Sequence, residues 1–147
     1  MATAIIPNAV MVTEIDRLVK DGMQISFTPK GNSMLPFIRG EKDIVILKAP
    51  EKISKGDIVL AGISASTYVL HRVIDINEDK LILMGDGNLI GTEQCRSSDV
   101  IAIAVKIIKG RREIDCNSRS HQRRADIWRT LKPVRRYLLA IYRRIIL

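Results

Sequence analysis

Apolar and polar residues follow two different periods along this chain. Over residues 9–22 the apolar positions fall on one face at helical spacing and end at Gly22, which predicts a short amphipathic helix. Farther along, short β-branched runs are separated by turns that contain glycine or aspartate, and such runs predict strands. Six strands are expected, over residues 23–28, 43–48, 58–63, 68–77, 80–85 and 100–109.

The order of these elements predicts the fold class. Residues 80–85 should form a hairpin with the preceding strand, and residues 86–98 form a polar loop. One early helix followed by strands predicts a mainly β domain, built as packed sheets or as a partly open barrel. We expect this domain to span residues 1–110, with its core at about 24–110.

The C-terminal segment has a different character. Residues 111–126 carry no periodicity and are predicted to be a basic linker, with His121 exposed to solvent. Residues 127–147 repeat apolar positions at steps of four and three, which predicts a cationic amphipathic helix. Pro133 lies within this pattern and predicts a kink or a helix restart near Lys132. Its apolar face suits a membrane surface, its own domain or a partner protein; nucleic acid is the least favoured partner.

The charge of the chain is divided unevenly. Its 147 residues carry a formal net charge of +8, but residues 1–110 hold thirteen basic and thirteen acidic side chains. Residues 111–147 hold eleven basic and three acidic side chains. A neutral body with a basic appendage argues against a nucleic-acid-binding domain, whose basic residues would line the folded surface.

Several classes of protein are not favoured by this composition. Cys95 and Cys116 are too few for a disulfide framework and are not spaced as a metal site. We therefore expect two free or buried thiols, with one isolated disulfide as the alternative, and neither metal nor cofactor. No signal peptide and no run long enough to span a membrane are visible. The expected location is therefore the cytoplasm or the periphery of a membrane.

One loop carries a serine hydroxyl group between glycine and proline residues, which control the conformation of the backbone. Gly31 and Gly40 free the backbone at its two ends, and Pro36 restricts the chain between them. Ser33 lies inside this loop. A serine is a weak nucleophile unless a base and a group that orients the base are supplied.

The chain contains both types of partner. His71 lies on a predicted strand, and a neutral imidazole is suited to take a serine proton near pH 7. Asp86 follows in the sequence Gly-Asp-Gly-Asn, and a carboxylate on the far ring nitrogen would fix the tautomer of the base. Spacing alone does not show that these side chains converge.

Four short motifs in this order resemble the type I signal peptidases, in the subgroup that has histidine in place of the general-base lysine. They are Ser-Met-Leu-Pro at 33–36, Lys-Gly-Asp-Ile-Val at 55–59, His-Arg-Val at 71–73 and Gly-Asp-Gly-Asn at 85–88. The resemblance covers about residues 24–110 and implies the fold shared by signal peptidases and LexA-type repressors. Those repressors use lysine as the base, so His71 argues against that branch.

The resemblance implies a role for each matched residue. Ser33 would be the nucleophile, His71 the general base and Asp86 the acidic partner, with Glu93 or Asp99 as the alternative acid. The supporting loop residues would be Asn32, Met34 and Pro36.

The implied activity is that of a serine endopeptidase that removes a leader or signal segment from a peptide or protein precursor. Its substrate would lie extended along a strand edge. Signal peptidases carry a membrane anchor that this sequence lacks, so a specialised precursor is expected. The alternatives are a non-catalytic module on the same fold that binds peptides or membrane proteins, and a self-processing DNA-linked regulator, for which residues 1–23 are too short.

Overall fold

A computed structural model describes residues 9–64 and 67–146 of the chain. In this part of the chain eight strands form one antiparallel sheet, and three α-helices accompany it. The helices are α1 (Ala9–Lys20), α2 (Arg119–Thr130) and α3 (Arg135–Ile146). The strands are β1 (Ile25–Phe27), β2 (Ile44–Lys48), β3 (Ile58–Ser64), β4 (Thr67–Asn77), β5 (Lys80–Met84), β6 (Glu93–Arg96), β7 (Val100–Lys109) and β8 (Arg112–Asp115).

The sheet is open, with strand order β1-β2-β7-β3-β4-β5-β6, and β8 pairs with β7. It is one continuous sheet that does not close into a barrel. The prediction of a mainly β fold with an N-terminal helix and a helical C-terminus is confirmed. The predicted turn at 64–67 includes Ala65 and Ser66, which lie outside the described residues, as do residues 1–8 of the predicted domain.

Side chains from both faces of the central strands are buried. On β3, Ile58 and Leu60 belong to a core beneath α1, whereas Val59 and Ala61 belong to a second core on the other face. Successive strand residues point to opposite faces, so a strand covered on both sides has the continuous apolar run seen here. This central position fixes the neighbouring strand β4, which carries His71.

Two predicted loop segments contain strands. Residues 86–98 include β6, which pairs with β5, and the predicted linker at 111–126 includes β8, which forms a hairpin with β7 around Gly110. Both strands are short and largely polar. They are held by backbone hydrogen bonds to the neighbouring strands β5 and β7. Because they lack alternating apolar residues, the sequence pattern did not predict them as strands.

The C-terminal helix begins earlier than predicted. Helix α2 starts within the predicted linker, where Ser118 caps it by accepting a hydrogen bond from the backbone of His121. Its buried face is formed by His121, Ala125 and Trp128. Histidine is polar and alanine is small, so this face does not show as a repeat of large apolar residues in the sequence. The predicted interruption near Lys132 takes the form of a helix restart: a 3₁₀ turn at Lys132–Val134 separates α2 from α3.

One face of the helical pair packs on its own domain. Trp128 of α2 and Leu139 of α3 form a small core with Leu35, two residues beyond Ser33. Among the described residues, no helix is both long and apolar enough to cross a membrane.

Candidate active site

Ser33 and His71 lie within hydrogen-bonding distance of each other in the interior of the protein. The distance from Ser33 Oγ to His71 Nε2 is 3.1 Å, and both residues are fully buried. Ser33 comes from the loop between β1 and β2, and His71 comes from β4. The sequence-predicted nucleophile and base are therefore within hydrogen-bonding distance.

The second ring nitrogen of His71 contacts Glu93. Glu93 Oε1 lies 2.5 Å from His71 Nδ1, and the Glu93 side chain is 21% exposed. Glu93 is the first residue of β6 and pairs with Leu83 of β5. Since β5 in turn pairs with β4, the pairing of these strands places Glu93 near the His71 ring. With the proton on Nδ1 donated to Glu93, Nε2 is left as an acceptor that faces the serine hydroxyl.

Asp86 does not contact His71, so the prediction that Asp86 orients the base is corrected. Its oxygens accept hydrogen bonds from Arg72 instead, at 2.8 Å from Nε and 2.7 Å from the terminal nitrogen. Arg72 follows His71 on the same strand, and adjacent strand residues point to opposite faces. Asp86 therefore lies on the face of β4 to which Arg72 points, opposite the face to which His71 points. Asp99 accepts a hydrogen bond from the Arg96 backbone and lies on the surface.

The Arg72–Asp86 pair is closed to solvent. Arg72 is fully buried and Asp86 is 4% exposed. Burial opposes the charge of Arg72, but the adjacent Asp86 carboxylate holds the pKa of Arg72 above its ordinary value. A further Arg72 hydrogen bond reaches the Gly56 carbonyl at 2.8 Å. The pair thus joins the turn after β5 to the turn before β3.

The Gly-Asp-Gly-Asn turn shapes the site through its backbone. A side chain at Gly85 would overlap the Ser33 carbonyl and lie 3.1 Å from His71 Nε2, so no larger residue fits there. The N–H of Gly87 donates to the Ser33 carbonyl at 2.7 Å. This turn therefore holds the serine loop in place.

Two of the supporting residues hold the serine loop through contacts with backbone groups. Met34 is 1% exposed, and its sulfur accepts a weak hydrogen bond from the Asp86 backbone at 3.4 Å. Asn32 Oδ1 accepts from the Gly40 N–H at 3.0 Å and closes the loop on itself. The bond between Leu35 and Pro36 is cis.

His121 lies next to this site instead of in solvent, which corrects the prediction of an exposed side chain. It is 3% exposed, its Nε2 is 3.5 Å from Arg72, and its ring meets Phe37 edge-on. Burial, followed by the Arg72 charge, lowers the pKa of His121 to about 4. His121 is therefore neutral at pH 7.

The helical pair is fastened to the same turn. Trp128 Nε1 donates to the Asp86 carbonyl at 2.6 Å, and Arg135 donates to the Asn88 carbonyl at 2.9 Å. The Arg135 guanidinium also lies over the Trp128 ring, 5.2 Å from its centre. Neither hydrogen bond had a direct signal in the sequence, because each joins residues more than 40 positions apart.

The site is chemically suited to activate a hydroxyl group. A carboxylate, an imidazole and a serine form a continuous hydrogen-bonded series, in which the imidazole can receive the serine proton and the carboxylate can stabilise the resulting cation. Within the described parts of the chain, no cluster of three or more metal-ligating side chains is present. Comparisons with known protein families, with curated proteins and with solved structures give no match to this chain.

Proposed function

We propose that this protein is a serine endopeptidase of the signal-peptidase type, which cleaves a leader or signal segment from a peptide or protein precursor. The observation that carries the proposal is the series from Ser33 Oγ to His71 Nε2 and from His71 Nδ1 to Glu93. The resemblance of the four motifs at 33–36, 55–59, 71–73 and 85–88 gives it a substrate class.

The proposed reaction has two stages. The Ser33 hydroxyl attacks the carbonyl carbon of the scissile bond while its proton passes to His71 Nε2, and the Glu93 carboxylate stabilises the imidazolium. His71 then gives that proton to the departing amine, which leaves an ester on Ser33. Water hydrolyses the ester as His71 takes up the water proton and returns a proton to Ser33.

Ser33 and His71 are fully buried, so a substrate has no direct path to them from solvent. A peptide chain reaches the Ser33 hydroxyl only when neighbouring segments move aside. The turn at 85–88 and the helical pair fastened to it adjoin the serine loop. In the proposal, an extended precursor adds to a strand edge of the sheet and displaces this cover.

The experiment is cleavage, followed by mass spectrometry, of a peptide library with small residues before the scissile bond. Ser33→Ala and His71→Ala proteins should lose cleavage, and Ser98→Ala, the same change at an exposed serine, should keep it. A serine-directed phosphonate should label the native protein at Ser33. Cleavage that persists in Ser33→Ala would refute the assignment, and absence of both cleavage and labelling would favour the non-catalytic peptide-binding module.

We also propose that the outward face of α3 rests on a membrane surface. Tyr137, Ile141 and Ile145 are 64%, 56% and 73% exposed and fall on one side of the helix. Arg136 and Arg144 are exposed on the adjoining side. An apolar stripe beside arginines is typical of helices that lie in the interface of anionic bilayers.

Sedimentation with vesicles of phosphatidylcholine, with and without phosphatidylserine, tests this placement. The Ile141→Ser/Ile145→Ser protein should lose most of its binding to anionic vesicles. Met23→Ser removes an apolar side chain of 51% exposure outside the stripe and should have no effect. Equal binding by all three proteins would exclude a role for the stripe.

A further inference from the structure

A cavity of about 440 Å³ lies next to the serine loop, between that loop, the β7–β8 hairpin and the two C-terminal helices. Its size is that of a small-molecule site. Four cationic side chains line it: Arg39 from the serine loop, Lys109 and Arg112 from the hairpin, and Arg124 from α2. They come from three separate parts of the sequence, so only the folded chain brings them together.

These four positive charges are only partly balanced. Arg39 and Lys109 share one carboxylate, Asp43, at 2.8 and 2.5 Å. Asp43 is fully buried beneath them, and although burial opposes its ionisation, hydrogen bonds from both partners keep its pKa below the ordinary value. Arg112 and Arg124 form no ion pair with any residue that the structure describes. The walls therefore carry an excess of about three positive charges, counted as four cations and one carboxylate.

The cations also act on one another. Burial lowers the pKa of Lys109, and the charges of Arg39 and Arg112 lower it further, against the effect of Asp43. Cations placed so closely destabilise each other unless an anion lies between them. The Arg112 and Arg124 side chains are free to turn toward such an anion, since both residues are exposed.

The remainder of the lining is Pro36, the imidazole of His121, which is neutral at pH 7, and a set of apolar and aromatic side chains. Phe37 and Tyr142 contribute rings, and Ile107 and Ile114 contribute aliphatic surface. A site that combines guanidinium groups with rings suits an anion carried on an apolar body. Guanidinium groups match the several oxygens of a phosphate group better than a single point charge would.

We propose that this cavity binds a phosphate ester whose phosphate group contacts Arg112 and Arg124 and whose organic portion lies against Phe37 and Tyr142. Phosphate ester groups occur in soluble metabolites and in lipid headgroups, and the chemistry of the cavity accepts both. The proposal is independent of the peptidase assignment. Because Phe37 belongs to the loop that carries Ser33, a bound ester contacts the loop of the candidate active site.

Isothermal titration calorimetry of the full chain tests the proposal with three probes. They are inorganic phosphate, phenyl phosphate, and dihexanoyl phosphatidic acid below its micelle concentration. We expect saturable binding of phenyl phosphate or of the short-chain lipid, tighter than that of inorganic phosphate. The tighter of the two esters indicates whether the natural ligand is soluble or a lipid.

A matched pair of variants separates the cavity from general charge. The Arg112→Gln/Arg124→Gln protein should bind the preferred ester about tenfold or more weakly, because two charge-assisted hydrogen bonds are lost. The Arg111→Gln/Arg123→Gln protein loses the same net charge at exposed neighbouring positions outside the cavity and should bind like the wild type. Equal weakening in both proteins, or absence of saturable binding to any of the three probes, would overturn the proposal. Peptide cleavage is not a readout, so failure of this site and failure of the peptidase assignment are distinguishable.

Discussion

Glu93 Oε1 lies 2.5 Å from Nδ1 of His71, on the side of the ring opposite Ser33. This contact makes Glu93 the acid that orients the proposed base, whereas Asp86 is held by Arg72. The two acids therefore have separable effects. One is expected to control catalysis and the other to control stability.

Replacing Glu93 with Gln removes the charge that stabilises the imidazolium and keeps the size of the side chain. We expect the cleavage rate to fall by roughly 10²–10⁴-fold, with little change in the fold. The measurement is the rate on the peptide identified by the library. Asp99→Asn is the control: Asp99 is exposed and accepts a hydrogen bond from the Arg96 backbone, so this change should leave the rate unaltered. Equal losses in both variants would contradict the role of Glu93.

Replacing Asp86 with Asn leaves the Arg72 charge buried without its carboxylate. Breaking a buried ion pair by removing one partner typically costs about 3–5 kcal/mol, so the free energy of unfolding should decrease by a similar amount. Urea unfolding followed by circular dichroism measures this change. Asp16→Asn breaks an exposed ion pair with Lys20 and should change stability little. A loss as small in Asp86→Asn as in Asp16→Asn would show that the buried pair is not structural.

His121 makes stability depend on pH in a defined window. Its pKa is about 4 in the folded protein and about 6.5 when unfolded, so the unfolded chain binds its proton more readily. Its contribution to stability is therefore complete above pH 6.5 and is lost as the pH falls toward 4. By linkage the loss is at most about 3 kcal/mol.

His121→Gln is the test of this pH effect. The unfolding free energy of the wild type minus that of the variant should decrease as the pH falls from 7 to 4, because only the wild type loses the His121 contribution. Other titrating groups are present in both proteins and cancel in that difference. A difference that stays constant over this range would mean that His121 takes up its proton in the folded state as readily as in the unfolded chain.

The two cysteines are expected to be chemically inert in the folded protein. Both are free and buried, and burial raises the pKa of Cys95 to about 11 and that of Cys116 to about 12. The thiolate is the reactive form, so iodoacetamide at pH 8 should label neither residue in native protein and both in urea. Mass spectrometry counts the modified sites. Rapid labelling of the native protein would contradict this burial.

The candidate site could be predicted from sequence as far as local signals extend. Ser33 lies in a loop bounded by glycines and His71 lies in a strand, and both positions have motifs that mark them. The choice between Asp86 and Glu93 depends on which face of β4 each acid reaches. That face is set by the register of β5 and β6, which a single sequence does not display.

The same distinction applies to the fold. The sequence by itself determined α1, the six apolar strands and the break near Pro133, because hydrophobic periodicity and backbone restriction act over a few residues. Only the tertiary structure decided that β6 and β8 are strands, that His121 is buried beside Arg72, and that Arg39, Lys109, Arg112 and Arg124 surround one cavity. Polar strands, buried imidazoles and clustered cations are stabilised by partners distant in sequence, so their placement depends on the packed chain.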